Sequence, residues 1–287
     1  MTPPTTGPRI VAIGDSVTLG VGDGVQAAKG DVGWAAHVGY ALGASPITNI
    51  AENGTRARDL VGAHVPQALA LSPDLVLMTI GGNDVLRGDF DPEEIRKCVR
   101  RAAHLLRAAG AQVILVTLTP IPLFDLFPTS VTRVMARRVH RANASLLAAV
   151  EDTGVKVLDG ASVMRLAGAS AWNVDRIHPS AVGHRALAER AVGLLDAYRP
   201  QRDIPPPAAR PALAATVWWI VRNGLPWIAK RSRDLIPQIA LVVLDELHEE
   251  RATRARAIHA LRDERGSVRA VQASSREAWR SSEPALG

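Results

Sequence analysis

Short apolar runs alternate with helical patterns up to about residue 198. The apolar runs predict strands at 10–13, 46–51, 74–80, 112–118 and 155–158. Apolar positions at helical spacing predict helices at 34–42, about 58–71, 129–152 and 181–198, and one through Cys98 that ends at Gly110. Short, fully apolar strands that alternate with helices are typical of a parallel sheet covered on both faces. The pattern therefore predicts an α/β fold around a five-stranded parallel sheet.

Residues suited to a functional site follow the carboxyl ends of several predicted strands. Ser16 comes after the first strand, Gly54 after the second and Asn83 after the third. Asp175 and His178 lie in a loop after the fifth strand. The carboxyl ends of parallel strands meet at one edge of the sheet, where open α/β folds bind ligands. These residues are therefore candidates for one site.

The same residues fit the needs of acyl transfer, which are a nucleophile, a base, a group that orients the base, and donors for an oxyanion. Ser16 can be the nucleophile, His178 the base and Asp175 its orienting partner. The main-chain N–H groups of Ser16 and Gly54 and the side-chain amide of Asn83 can be the donors. A glycine at position 54 lets its backbone approach a substrate closely.

Each of these features also has a structural interpretation. Ser16 can cap the following helix, the Gly-Gly-Asn-Asp run at 81–84 can be a turn, and Gly54 can be an ordinary turn glycine. An aspartate three positions before a histidine, as in Asp175 and His178, occurs by chance in many loops. Their joint occurrence in chain order at one sheet edge favours the catalytic interpretation.

The sequence resembles the SGNH/GDSL hydrolase family over about residues 9–198. The resemblance rests on Gly-Asp-Ser-Val-Thr-Leu-Gly at 14–20, Gly54, Gly-Gly-Asn-Asp at 81–84 and Asp-Arg-Ile-His-Pro at 175–179. It implies a three-layer α/β/α, flavodoxin-like fold and hydrolysis of ester or acyl bonds without a metal or another cofactor. It also implies a Ser16–His178–Asp175 triad, with an oxyanion hole formed by Ser16, Gly54 and Asn83.

Other residues near these motifs are candidates for supporting roles. Asp15 and Asp84 are expected to brace the turns beside Ser16 and Asn83 rather than to act in catalysis. The stretch 119–128 contains three prolines and is predicted to be an irregular apolar loop at the same sheet edge. Its residues Phe124, Leu126 and Phe127 either line an acyl pocket or fold onto the core.

The remaining histidines and the cysteine do not suggest a metal site. The helical histidines lack metal-ligand partners in the sequence, and His184 is expected to pack in the core or lie on the surface. Cys98 is the only cysteine and lies on a predicted apolar helix face, so a buried structural thiol is expected. The helical histidines are His37, His64, His104 and His140.

The composition of the chain excludes few classes of function. The chain has 287 residues, of which 47% are hydrophobic, and its formal net charge is +6. The charge suits acidic surfaces, but no zinc-finger spacing or basic stripe with interleaved aromatics indicates a nucleic-acid partner. Residues 1–8 have no apolar signal core, which predicts a cytoplasmic protein.

The composition changes near Pro200. We expect a catalytic domain at 1–199, a proline-rich linker at 200–211, a helical extension at 212–265 and a disordered tail at 266–287. The extension contains Trp218, Trp219 and Trp227 in interrupted apolar runs, too short to span a membrane. It either packs on the catalytic unit or another copy, or lies on acidic lipid as a peripheral helix.

The sequence thus predicts an esterase or lipase-like enzyme that hydrolyses a small acyl ester or a lipid-like substrate through an acyl-enzyme. Two variants use the same triad, namely an acyltransferase and a carbohydrate deacetylase. A different class is a non-catalytic, membrane-associated binding module. The presence of Ser16, Asn83 and His178 together favours an enzyme.

Overall fold

The computed structural model describes residues 7–24, 32–44, 47–207 and 243–244. Apart from the last pair, these residues belong to one compact unit. Five parallel strands form one sheet in the order β2-β1-β3-β4-β5. The strands are β1 (Ile10–Gly14), β2 (Thr48–Asn49), β3 (Leu75–Thr79), β4 (Gln112–Val116) and β5 (Lys156–Leu158).

Helices cover the sheet. The α-helices are α1 (Ser16–Leu19), α2 (Gly33–Ala41), α3 (Ala57–Asp59), α4 (Val65–Ala70), α5 (Pro92–Ala108), α6 (Thr129–Val150), α7 (Gly160–Ala167) and α8 (Ala181–Gly193). Helix α2 packs against α8, and α5 packs against α6. Every residue of β1 and β3 is buried, as expected for central strands with both faces covered. This architecture confirms the predicted three-layer fold with a five-stranded parallel sheet.

Several element boundaries differ from the prediction. Strand β2 has only two residues, and the helix expected at 58–71 consists of α3, a π-helical turn at Leu60–His64, and α4. The predicted irregular loop contains a 3-10 helix at Pro122–Leu126, which begins at a proline because the first turn needs no N–H from that residue. Helix α7 was not predicted. Asp159 caps it, accepting a hydrogen bond from the backbone N–H of Ser162 at 3.0 Å.

Residues just beyond α8 contact the catalytic unit. The backbone N–H of Gln201 donates to the carbonyl of Ala41 at 2.7 Å, and Nε of Arg185 donates to the carbonyl of Pro205 at 2.8 Å. The rest of the predicted linker, the extension with its tryptophans and the tail lie outside the described residues, except for 243–244. The proposed domain boundaries therefore stay predictions.

One predicted exposure also changes. Cys98 is half-buried rather than buried, and burial raises the pKa of its thiol. Within the described ranges, no helix has the length and apolar character needed to cross a membrane.

Candidate active site

A tight turn between β1 and α1 presents Ser16. Gly14 has φ of 118°, and a Cβ there would lie 2.1 Å from the carbonyl oxygen of Thr79 on β3. Any larger residue would collide with the neighbouring strand. Asp15 then caps α1, because its Oδ1 accepts a hydrogen bond from the N–H of Val17 at 3.0 Å. Ser16 is the first residue of the helix and is 7% exposed.

Hydrogen bonds fix this turn to its neighbours. Oγ1 of Thr18 accepts from the N–H of Thr79 at 2.9 Å, and the N–H of Asp15 donates to the carbonyl of Thr79 at 3.0 Å. Nδ1 of the buried His64 accepts from the N–H of Gly14 at 3.1 Å. An accepting Nδ1 places the ring proton of neutral His64 on Nε2. No local pattern in the sequence indicates these contacts.

Ser16, His178 and Asp175 form one hydrogen-bonded chain. Nε2 of His178 lies 2.9 Å from Oγ of Ser16, and its Nδ1 lies 2.7 Å from Oδ2 of Asp175. Ser16 lies near the start of the catalytic unit's sequence, and Asp175 and His178 lie near its end. In the structure, the three side chains meet at the carboxyl edge of the sheet. This is the arrangement of a nucleophile, a base and an orienting carboxylate.

Asp175 also organises the loop that carries the histidine. Its Oδ1 accepts hydrogen bonds from the backbone N–H groups of Ile177 at 2.9 Å and His178 at 3.0 Å. Burial acts to raise the pKa of Asp175, but the hydrogen bond and charge of His178 outweigh it and hold the pKa below its usual value. The carboxylate is therefore ionised at neutral pH.

Ser16, Gly54 and Asn83 each keep a hydrogen-bond donor that is not used by the described residues. Among the described residues, the N–H groups of Ser16 and Gly54 have no protein acceptor. Gly54 has φ of 92°, and a Cβ there would meet nothing within 4 Å. Nδ2 of Asn83 donates to the carbonyl of Thr55 at 3.0 Å, which leaves its second hydrogen available.

Asp84 holds the segment that follows Gly54. Its carboxylate accepts from the N–H of Ala57 at 3.1 Å and from Nε of Arg56 at 3.3 Å. Its side chain is 1% exposed, and burial raises its pKa. Asp84 and Asn83 thus join the loop after β2 to the loop after β3, and both contacts support the donor arrangement.

Asp15 lies in the wall of the site. Burial raises the pKa of Asp15 to about 7, although the hydrogen bond from Val17 and the charge of His178 oppose this shift. The side chain caps α1 as expected and has no direct hydrogen bond to the triad.

A cavity of about 80 Å³ opens beside Ser16 and His178. Its walls are mainly apolar. The apolar side chains include Val85, Leu86, Leu118, Ile121, Val139, Met164, Ile177 and Leu187. Most of these residues lie far apart in the sequence, so no local pattern identifies them as a pocket.

The predicted acyl-pocket residues do not line this cavity. Phe124 is 3% exposed and packs inward, with its ring 6.1 Å from the ring of Phe127. Leu126 is 64% exposed. Of the 119–128 stretch, Thr119 and Ile121 line the cavity. Of the two predicted roles, packing against the core describes Phe124.

Of the other histidines, His184 lies in the core, whereas His104 and His140 are exposed. His184 is fully buried, with its Nδ1 accepting from the N–H of Trp34 and its Nε2 donating to the carbonyl of Val21. Burial lowers the pKa of His184 to about 4, so it is neutral. Within the described part of the chain, no group of three His, Cys, Asp or Glu side chains is placed to hold a metal ion.

The fold and this site define a serine hydrolase with a parallel α/β sheet. The sequence model of the GDSL-like Lipase/Acylhydrolase family matches residues 12–186. The chain belongs to this family, and it is a carboxylic ester hydrolase that uses a serine. No protein in a search of curated sequences matches it significantly.

Solved structures with the same fold include two enzymes. Axe2, an acetylxylan esterase from Geobacillus stearothermophilus, is 25% identical, with a TM-score of 0.53 over 66% of this chain and 94% of that chain. LAE5, described as an alpha/beta hydrolase enzyme from the metagenome of Lake Arreo, Spain, is 23% identical, with a TM-score of 0.53 over 66% and 95% of the two chains. At that identity, LAE5 supports the fold alone.

Proposed function

We propose that Ser16 attacks the ester carbonyl while His178 takes its proton. Nε2 of His178 removes the proton from Oγ as the new C–O bond forms, and Asp175 stabilises the resulting imidazolium. The negative charge on the carbonyl oxygen is held by the N–H groups of Ser16 and Gly54 and by the amide of Asn83. The observation that carries this proposal is the 2.9 Å contact between Nε2 of His178 and Oγ of Ser16.

The cycle then closes through water. The tetrahedral intermediate collapses, the bond to the alcohol breaks, and His178 gives its proton to the leaving alcohol oxygen. A water molecule attacks the acyl group on Ser16 while His178 takes a proton from it. Collapse of the second intermediate returns this proton to Oγ and releases the carboxylic acid.

We further propose that the acyl group is short. One buried water needs about 10–15 Å³ of cavity volume. The cavity of about 80 Å³ therefore holds roughly five to eight water-sized groups. An acetyl, propionyl or butyryl chain fits this volume, whereas a palmitoyl chain would have to extend outside it. The likeness to Axe2, an acetylxylan esterase, also supports a short acyl group.

The structures of Axe2 also support the triad assignment. Three of them are of catalytic mutants in which a serine, an aspartate or a histidine is replaced by alanine. In Axe2 the aspartate stands three positions before the histidine. Asp175 and His178 have the same spacing.

The test is hydrolysis of a chromogenic ester series from acetyl to palmitoyl by the full chain. We expect highest kcat/KM for two to four acyl carbons, and loss of activity in Ser16→Ala. Ser145→Ala, which changes a half-buried serine on α6, is the matched control and should keep wild-type activity. Equal activity of Ser16→Ala and the wild type would contradict the triad. A palmitoyl optimum would contradict the short acyl group and leave the triad in place.

The likeness to Axe2 makes carbohydrate deacetylation the second candidate. Acetate release from acetylated xylooligosaccharides, compared with release from a simple acetyl ester at equal concentration, tests it. A higher kcat/KM on the sugar ester would favour the deacetylase. Formation of a new ester in the presence of a small alcohol would favour the acyltransferase variant.

Peripheral contact of the 212–265 extension with acidic lipid is a proposal from sequence alone, as is a cytoplasmic location. The basic residues and tryptophans of the extension support contact with acidic lipid. Sedimentation of the full chain with phosphatidylserine vesicles at low and high salt tests it, because peripheral basic contacts weaken with salt. Absence of binding at low salt would contradict membrane contact.

A further inference from the structure

Another aspartate near the candidate site, Asp23, has a buried side chain with three hydrogen-bond donors. The side chain of Asp23 is 1% exposed. Its Oδ2 accepts from Nε2 of His37 at 2.6 Å and from the N–H of Gly33 at 2.8 Å, and its Oδ1 accepts from Nη1 of Arg185 at 2.7 Å. Burial acts to raise the pKa of Asp23, but the hydrogen bonds from His37 and Gly33 and the charges of His184 and His37 outweigh it and hold the pKa below its usual value. None of these residues belongs to the family motifs.

The segment that carries Asp23 lies against the nucleophile turn. The N–H groups of Gly20 and Val21 donate to the carbonyl of Ser16 at 3.2 and 3.0 Å. The N–H of Asp23 donates to the carbonyl of Gly20 at 3.2 Å, which closes a compact turn. A shift of this turn would therefore act directly on the backbone of Ser16.

The same segment lies against the loop of the base. Gly22 has φ of 104°, and a Cβ on it would lie 2.0 Å from the carbonyl oxygen of Pro179, the residue after His178. This value shows that the backbone of Gly22 is in direct contact with the base loop. The carbonyl of Val21 accepts from Nε2 of His184 at 3.0 Å, which fixes the segment to α8.

We propose that Asp23 is a positioning residue for catalysis. It ties the 20–24 segment to α2 through Gly33 and His37 and to α8 through Arg185. In this position, the segment holds the carbonyl of Ser16 on one side and the carbonyl of Pro179 on the other, and so sets the distance between Ser16 and His178. This inference rests on the proposed function of these two residues.

Asp23→Asn tests the inference, because asparagine keeps the volume but brings an NH2 group against the donors of His37 or Arg185. A misplacement of about 1 Å can cost about 100-fold in rate. We expect kcat on a short acyl ester to fall about 10- to 100-fold while KM changes less than about two-fold, since the ground-state binding surface is unchanged. The matched control is Asp74→Asn, which removes an aspartate paired with Arg9 at 3.0 Å at the opposite end of the sheet. It should keep wild-type kcat.

A double mutant separates positioning from general loss of structure. If Asp23 acts through the alignment of His178, Asp23→Asn should lower the residual kcat of His178→Ala by less than about two-fold, because the two effects share one step. A fall in that background as large as in the wild type would overturn the inference. So would a folded Asp23→Asn enzyme with kcat within about two-fold of wild type.

A milder variant keeps the inference testable if Asp23→Asn does not fold. His37→Gln weakens one of the three hydrogen bonds to Asp23, and we expect kcat to fall about three- to ten-fold, again only when His178 is present. An unchanged kcat in folded His37→Gln would then contradict the inference. Full activity of Ser16→Ala or His178→Ala would instead contradict the proposed function itself.

Discussion

Replacing Asp175 by asparagine changes the position of one proton in the site and very little of its shape. Oδ1 of Asp175 accepts two backbone N–H groups, and Oδ2 faces Nδ1 of His178 at 2.7 Å. In Asp175→Asn, the amide oxygen keeps the two N–H groups, because a backbone N–H cannot accept from an NH2. The NH2 group then faces Nδ1 of His178 and requires this nitrogen to be unprotonated.

The consequence reaches Ser16 through the histidine ring. With Nδ1 unprotonated, neutral His178 carries its proton on Nε2, the atom 2.9 Å from Oγ of Ser16. That nitrogen can then no longer accept the serine proton. A wrong tautomer of this kind in a Ser-His-Asp triad costs about 10⁴-fold in kcat, which corresponds to about 5.5 kcal/mol in the activation free energy. We expect a loss of this size in Asp175→Asn.

The assay is kcat for hydrolysis of a short acyl ester, with urea unfolding to verify that the variant is folded. Asp91→Asn is the matched control, because Asp91 also accepts a backbone N–H as a helix cap, at 2.9 Å, on α5. It should keep wild-type kcat. A folded Asp175→Asn enzyme within about ten-fold of wild type would refute the assignment of Asp175 as the group that orients His178.

Three further predictions concern the donors and the buried titratable groups. Asn83→Ala should lower kcat about 100- to 1000-fold, as is typical for the loss of an oxyanion donor; unchanged kcat in a steady-state assay of the folded variant would contradict its role. The pKa of Asp15 rises from 3.8 to about 7 on folding, so the folded state binds the extra proton and loses stability as the pH rises through this window. Asp15→Asn should remove this loss of unfolding free energy, which is about 4 kcal/mol in total. Urea unfolding from pH 4 to 8 should show that the variant gains stability relative to wild type as the pH rises. The pKa of His184 falls from 6.5 to about 4, so wild type loses up to about 3 kcal/mol as the pH falls through this window; in His184→Asn, the same series should lack this acid-side loss.

The parts of the site that were predictable are those that follow directly from strand ends. Ser16 and Asn83 come within a few residues of β1 and β3, so the parallel sheet alone brings them to one edge. His178 is not fixed by a strand end in this way, but Asp175 three residues earlier gave it a partner and a role. Sequence periodicity and acyl-transfer chemistry were therefore enough to assemble this set.

The rest depends on contacts between distant segments. Asp23 pairs with Arg185 across 162 positions, and His64 reaches Gly14 across 50. Neither pair leaves a periodic or local signal. For Phe124, Leu126 and Phe127 the sequence left two roles open, and the structure buries Phe124 while none of the three lines the cavity beside Ser16.

The turn between β1 and α1 also shows which positions of the Gly-Asp-Ser-Val run at 14–17 are constrained by packing and hydrogen bonds. Position 14 has no room for a side chain, position 15 must accept an N–H from the helix, and position 16 supplies the hydroxyl. The next residue, Val17, meets a looser requirement, since it only packs against the apolar core and lines the cavity. A valine there serves as well as the leucine of the family's name. Searches for distant members should therefore weight the first three letters separately and accept any apolar fourth.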